Sequence, residues 1–186
     1  MVFNNEEADG KAIHCADPAD FKKLYDGTMQ LLFKIAARIV IDEDAAEDLV
    51  HDSYIKANTK QLVFPSMDDA KFWLIRVVKN ASLNYAKRKI RERKAYQKAL
   101  QEDSRVQQSG ETDLLREDAR VKLNAALEKL PKNLREVLIL REYGDLNYKE
   151  IGTVLGITEG NVKVRMFRAR EQLSKLLGGE ENVWLS

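Results

Sequence analysis

Cysteine, histidine, proline and glycine are all scarce in this 186-residue chain. A single cysteine, Cys15, excludes a disulfide framework and any cysteine-rich zinc site. The two histidines, His14 and His51, lie too far apart for a short-range metal pair. Three prolines and nine glycines supply too little turn chemistry for a sandwich or barrel. Long apolar runs are missing as well. The longest, Leu31 to Ile41, is broken by Lys34 and Arg38, so nothing spans a bilayer, and the acidic, polar N-terminus is unlike a secretory signal. No GxSxG, HExxH or glycine-rich phosphate loop is present. The acidic cluster at 42–52 lacks the central glycine and terminal Glu of a calcium loop, and reads as a solvated or partner-binding face. An enzyme would have neither a nucleophile set nor a metal site to work with. What remains is a soluble, reduced, cytoplasmic, mostly helical protein without a cofactor.

What the chain does have is charge, 33% of its residues, and it is segregated. The formal net charge is only +1, yet residues 1–70 carry 7 Lys/Arg against 14 Asp/Glu, and residues 71–105 carry 11 against 3. A second basic island, residues 161–177, holds five basic side chains and one acid. Two islands propose two separate contacts with a polyanion, where the average charge would have proposed none.

Residues 99–118 are polar and nearly free of large apolar groups until Leu114, with Ser109-Gly110 near the middle. The expected organisation is therefore all-α: a helical domain over 1–98, a flexible linker over 99–113 and a smaller helical domain over 114–186. In the first, Asp17-Pro18 caps a helix carrying Phe21, Leu24, Leu32, Ile35 and Ile39. Asp42-Glu43-Asp44 opens a second, with Ala46, Leu49, Val50 and Ile55 inward and Glu47, Asp48, His51 and Asp52 on the acidic face. Residues 61–66 read as a loop, and Asp68 caps a long third helix that continues into the basic run Lys87–Lys94. Cys15 and His14 read as part of a surface tail.

In the second domain, one helix runs from Leu114 to Leu130 and ends at Pro131, and another runs from Asn133 to Tyr143. Asn147 with Glu150 forms a capping box for a short helix stopped by Gly156, and Thr158 caps the last. Two short helices joined by a glycine turn make a helix-turn-helix. At 100° per residue, Val162, Met166, Ala169, Leu173, Leu176 and Leu177 form the buried stripe of the last helix. The opposite face presents Gly160, Val164, Phe167, Arg168 and Glu171, flanked by Lys163, Arg165 and Arg170. Phe167 among cations suits a thymine methyl group or a sugar in the major groove. The long basic helix offers different chemistry. Phe64, Phe72, Trp73 and Tyr85 lie among Arg76, Lys79, Asn80, Lys87 and Arg88, and aromatics beside cations suit single-stranded nucleic acid. Phe64, before a proline, is the aromatic expected to be least buried.

The blocks from Leu130-Pro131-Lys132-Asn133-Leu134-Arg135-Glu136-Val137 through Tyr148-Lys149-Glu150-Ile151-Gly152 to Gly160–Glu171 resemble region 4 of the bacterial sigma-70 family. Ala46–Ala57 resembles region 2.2, and Phe72–Asn80 resembles the region 2.3 to 2.4 helix. With no region 3 domain and a short linker, the resemblance is to the extracytoplasmic-function (group IV) sigma factors. It implies a dissociable initiation subunit that binds core RNA polymerase, through the β′ clamp and the β subunit, and promoter DNA, with an anti-sigma factor as a possible further partner. Glu47, Asp48, His51 and Asp52 would dock on the clamp. Lys56, Phe64, Arg76, Lys79, Asn80, Lys87 and Arg88 would read and open the −10 element. Arg141, Lys163, Val164, Arg165, Phe167 and Arg168 would read the −35 duplex. His51 stands where the family usually has Gln, and Lys163-Val164 where Arg-Ser is common. The rival reading is a helix-turn-helix regulator with an N-terminal sensory or dimerisation domain, which would need one DNA contact and no polymerase face.

Overall fold

The computed structural model describes residues 12–40, 42–102, 123 and 125–178. The elements in chain order are β1 (Ile13–His14), α1 (Pro18–Val40), α2 (Glu43–Thr59), β2 (Val63–Phe64), α3 (Met67–Glu102), α4 (Lys132–Glu142), α5 (Tyr148–Leu155) and α6 (Glu159–Leu176). Residues 125–129 are also helical. The chain divides into two compact units, Met1–Ala86 and Lys87–Ser186. The helix α3 runs past the expected start of the linker at residue 99, and Ser109-Gly110 and most of the expected helix Leu114–Leu130 lie outside the described residues.

Local chemistry sets the helix ends in the first unit. Asp17 Oδ1 accepts from the Ala19 and Asp20 amides at 2.9 and 3.0 Å, and Asp42 Oδ1 accepts from the Ala45 amide at 3.0 Å. The third helix is capped by Ser66, not Asp68: Ser66 Oγ accepts from the Asp69 amide at 3.1 Å and donates to the Asp69 carboxylate at 2.7 Å. A serine one turn before the first buried position satisfies the amides that Asp68, already in the helix, cannot reach. Leu24, Leu32 and Ile35 of α1, Val50 and Tyr54 of α2, and Leu74, Ile75 and Val78 of α3 are buried. The Thr28 hydroxyl donates to the Leu24 carbonyl at 2.7 Å, which leaves the Tyr54 hydroxyl to donate to Thr28 Oγ1 at 2.6 Å. Burial pushes the Tyr54 phenol up to about 12, so it stays neutral and keeps that bond at ordinary pH.

Two expectations about packing are corrected. Ile55 is 61% exposed rather than inward, because the buried stripe of α2 runs through Ala46, Val50, Ser53, Tyr54 and Ala57 and turns Ile55 away from it. The segment around Cys15 is not a surface tail. Ile13 and Cys15 are buried, and β1 pairs antiparallel with β2, Ile13 opposite Phe64 and His14 opposite Val63.

In the second unit the capping box is complete: Asn147 accepts from the Glu150 amide at 2.9 Å, and the Glu150 carboxylate accepts from the Asn147 amide at 2.9 Å. Gly156 ends α5 in the left-handed region at φ +68°, and Thr158 Oγ1 accepts from the Asn161 amide at 3.3 Å to start α6. Leu134, Val137 and Leu140 of α4, Ile151 and Val154 of α5, and Val162, Met166 and Ala169 of α6 form the core. The stripe of α6 then fades: Leu173 and Leu177 are half-buried and Leu176 is 40% exposed, contrary to expectation.

The turn is also closed by backbone contact. A Cβ at Gly152 would sit 2.7 Å from the Ile157 carbonyl oxygen, whereas one at Gly156 would meet nothing within 4 Å. Gly152→Ala must therefore spread α5 from the turn, a clash worth about 1–3 kcal/mol on the scale of overpacking. Gly156→Ala carries only the left-handed backbone penalty of about 1–2 kcal/mol. Thermal unfolding should show both variants destabilised, and Gly152→Ala alone should lose the native near-UV signature of the second unit.

Candidate nucleic-acid and partner interfaces

The helix-turn-helix holds α6 by its buried stripe, which leaves the opposite face in solvent. Phe167 is 71% exposed and Val164 49%, as the helical geometry required. An apolar side chain that size, left out of a core beside it, is available to a partner. The cations around it are held by neighbours one turn away. Lys163 Nζ lies 2.8 Å from the Glu159 carboxylate, and Arg165 Nε donates to Asn161 Oδ1 at 3.0 Å. The Lys163 ammonium and its hydrogen bond hold the Glu159 carboxyl below its usual value. Arg168 is exposed, and Arg170 ties α6 to α4 through Glu142 at 3.1 Å. Arg141 is half-buried: it donates to the Leu146 carbonyl at 3.0 Å and lies over the Tyr148 ring, 5.6 Å from its centroid. Its first task is therefore to bind the α4–α5 turn, which the run of sequence did not disclose.

On α2, Glu47, Asp48 and Asp52 are exposed, and Ile55 continues the Asp48–Asp52 row at helical spacing. The face is acidic with an apolar edge, since Ile55 lies on it and not in the core. His51 does not stand free in that face. It is half-buried, its ring stacked on Tyr25 at 6.4 Å and its Nε2 3.3 Å from the Tyr25 hydroxyl, so it joins α2 to α1.

On α3, Arg76, Asn80, Lys87 and Arg88 are exposed, with Arg88 3.6 Å from Glu92, and Lys56 is exposed on α2. Lys79 is a correction. It is 3% exposed, because it falls on the same stripe as Ile75 and Ser82, four residues before and three after, both fully buried. A lysine can occupy such a stripe because its aliphatic stem packs readily. Phe64 is the second correction. It is 8% exposed and its ring packs on Trp73 at 5.6 Å between centroids, because the β1–β2 pairing turns it inward and Val63, 56% exposed, outward. Phe64 anchors its loop instead of offering a free stacking surface. Among the described residues no cluster of three or more His, Cys, Asp or Glu is placed to hold a metal, and no helix is long and apolar enough to cross a membrane.

These interfaces fall within two matches to known families: the sigma-70 region 2 model over residues 24–92 and the sigma-70 region 4 model over residues 120–173. The chain is similar to the RNA polymerase sigma-H factor of Pseudomonas aeruginosa, 30% identical over 152 residues that cover 77% of this chain and 78% of the relative. It is also similar to the ECF RNA polymerase sigma factor SigM of Bacillus subtilis, 28% identical over 159 residues, covering 83% and 93%. Among solved structures, CnrH in complex with the cytosolic domain of CnrY shares the fold at a TM-score of 0.60 and 22% identity, covering 89% of this chain and 92% of that one. The sigma factor RpoE in complex with the anti-sigma factor NepR from Bartonella quintana matches at a TM-score of 0.53 and 27% identity, covering 87% and 99%. The chain belongs to the sigma-70 family, in its extracytoplasmic-function group. It is an RNA polymerase sigma factor that directs promoter-specific transcription initiation, acting on core polymerase and promoter DNA. The reading as a regulator with a sensory domain gives way, because the N-terminal unit is itself matched as region 2.

The two exposed-or-anchoring phenylalanines should separate in stability. Phe64→Ala should cost about 3–5 kcal/mol, as for a core phenylalanine. Phe167→Ala should stay within about 0.5 kcal/mol of the parent, as for an open surface position. Urea unfolding of both variants, with each unit followed separately, checks the pair.

Proposed function

We propose that residues 1–98 act as the region 2 domain, 99–113 as the linker and 114–186 as the region 4 domain, each with its own contact. The exposed face of α6 reads the −35 element as duplex. Val164 and Phe167 meet base edges and methyl groups, while Lys163, Arg165 and Arg168 engage phosphate or guanine, with Arg141 setting the helix angle from below. The observation that carries this reading is Phe167, a phenylalanine 71% exposed at the centre of a basic helix whose other face buries Val162, Met166 and Ala169.

The loop 61–69 and the exposed face of α3 take the −10 element as single strand. Asn80 supplies an edge hydrogen bond, Lys56 and Arg76 hold phosphate, and Lys87 and Arg88 extend the cationic track along α3. With Phe64 buried, Val63 is the apolar side chain of that loop that faces outward, and Lys79 serves the core from which Arg76 and Asn80 project. The acidic row of Glu47, Asp48 and Asp52, edged by Ile55 and braced by His51, docks on a basic surface of the β′ clamp, and region 4 engages the β subunit. The two similar structures named above are complexes with CnrY and with an anti-sigma factor, and an anti-sigma partner for this chain is part of the proposal.

Promoter assays with reconstituted holoenzyme separate the parts. Asp48→Arg should abolish core binding in native gels while the fold persists, since losing a paired charge at an interface costs roughly 2–5 kcal/mol. Asn80→Ala should bind core and form the closed complex, yet lose permanganate-detected melting of the −10 region. Phe167→Ala should change base preference at −35. Arg168→Gln should instead weaken all sequences alike and lower the salt slope by roughly one unit. Unchanged core binding by Asp48→Arg, or full melting by Asn80→Ala, would remove the corresponding assignment.

A further inference from the structure

The segment 13–17 lies before residue 24, where the region 2 match begins, yet it is built into the loop that follows α2. Two hydrogen bonds and a ladder pairing fasten it. The Cys15 amide donates to the Leu62 carbonyl at 2.9 Å, Asn58 Nδ2 donates to the Cys15 carbonyl at 2.9 Å, and Ile13 sits opposite Phe64 in the two-residue ladder. The far side of the segment is fastened too: the His14 amide donates to the Asp20 carboxylate at 3.0 Å and the Asp17 amide to the His14 carbonyl at 2.9 Å. Ile13 and Cys15 are 3% and 0% exposed, so the inward side of the segment is covered as core is, while His14, Ala16 and Asp17 face solvent. The loop itself leaves α2 sharply, with Gln61 at φ +49° and the Leu62 amide donating to the Ala57 carbonyl at 3.1 Å. Such a short ladder has little to hold its own register. Side chains alternate along a strand, so a slip of one residue would exchange Val63 and Phe64 between solvent and core.

We infer that residues 13–17 form a strap that positions the loop 61–66 for the −10 element, with Asn58 as its latch. The strap fixes which side chain of the loop faces the unstacked base. It touches no DNA, so Ile13, Cys15 and Asn58 are positioning residues, and they act through Val63 and the backbone of the loop. The inference rests on the assignment of that loop to the −10 element.

Cys15 gives the strap a built-in probe, being the only cysteine in the chain and fully buried. Its thiol is pushed up by burial and by the nearby Asp20 carboxylate, so an opened strap is needed for fast alkylation. The full-length protein is labelled with iodoacetamide, free and in holoenzyme, with and without a single-stranded −10 oligonucleotide. Asn58→Ala should raise the labelling rate roughly fivefold, the scale of one lost hydrogen bond in a local opening. The oligonucleotide should lower the rate in the parent, because loop occupancy and strap docking favour one another reciprocally.

Base preference at −10 is then measured as open-complex formation on promoters varied one position at a time. Asn58→Ala should flatten the preference while core binding and −35 binding persist. Leu32→Ala, which truncates a buried side chain of α1, should lower the melting temperature and leave the preference intact. If Asn58→Ala keeps the parental preference, or if the oligonucleotide leaves Cys15 labelling unchanged, the strap does not position the reading loop. Asn80→Ala, run in parallel, distinguishes the two failures. Normal melting in Asn80→Ala overturns the −10 assignment itself, whereas impaired melting there with normal preference in Asn58→Ala overturns the strap alone.

Discussion

The reading face of the second unit depends on one backbone contact, the approach of Gly152 to the Ile157 carbonyl. The buried stripe of α6, Val162, Met166 and Ala169, meets α4 and α5 only if the turn between α5 and α6 closes that far. Once it does, the direction of Phe167 is no longer free, since it lies across the helix from the buried Ala169. The capping box on α5, the left-handed Gly156 and the Thr158 cap serve the same closure by satisfying the amides and carbonyls it would otherwise strand. A rigid angle matters because a side chain that reads base edges must arrive already oriented, and the ordering cost is then met by folding rather than by binding.

The first unit reaches a comparable end with a more polar interior. Thr28 and Tyr54 hydrogen-bond inside the core, Phe21 and Tyr25 pack on Tyr54 at 6.0 and 4.9 Å between centroids, and Tyr25 carries His51. This aromatic chain joins α1 to α2 and lies directly beneath the acidic row. A rearrangement in that core would therefore move the carboxylates of α2, and the acidic face is as rigid as the packing below it.

The parts legible in the sequence were those whose cause is local. Asp17-Pro18, Asn147 with Glu150, Gly156 and Thr158 each act within four residues, and each is found where its chemistry placed it. The exposure of Phe167 was legible for the same reason, since a single helix with a clear apolar stripe defines its own outside. What was not legible depends on distant partners. The β1–β2 ladder joins residues some fifty positions apart, and strands of two residues carry no periodicity to announce them. Phe64 and Cys15 are buried by that pairing, so both were placed on the surface. Lys79 and Ile55 failed differently. In both, residue type and helical register point opposite ways, and register decides burial.

The ion pairs along α6 have a consequence for how the protein behaves away from promoters. Lys163 is paired with Glu159, so the helix carries less available positive charge than its count of cations suggests. A phosphate contact by Lys163 must first displace Glu159, and that exchange is nearly balanced unless the bases also fit. Random duplex offers only the phosphate half of the bargain. Where roughly 10⁶–10⁹ non-specific sites compete, even a small loss of phosphate attraction shifts the balance toward duplex whose bases fit.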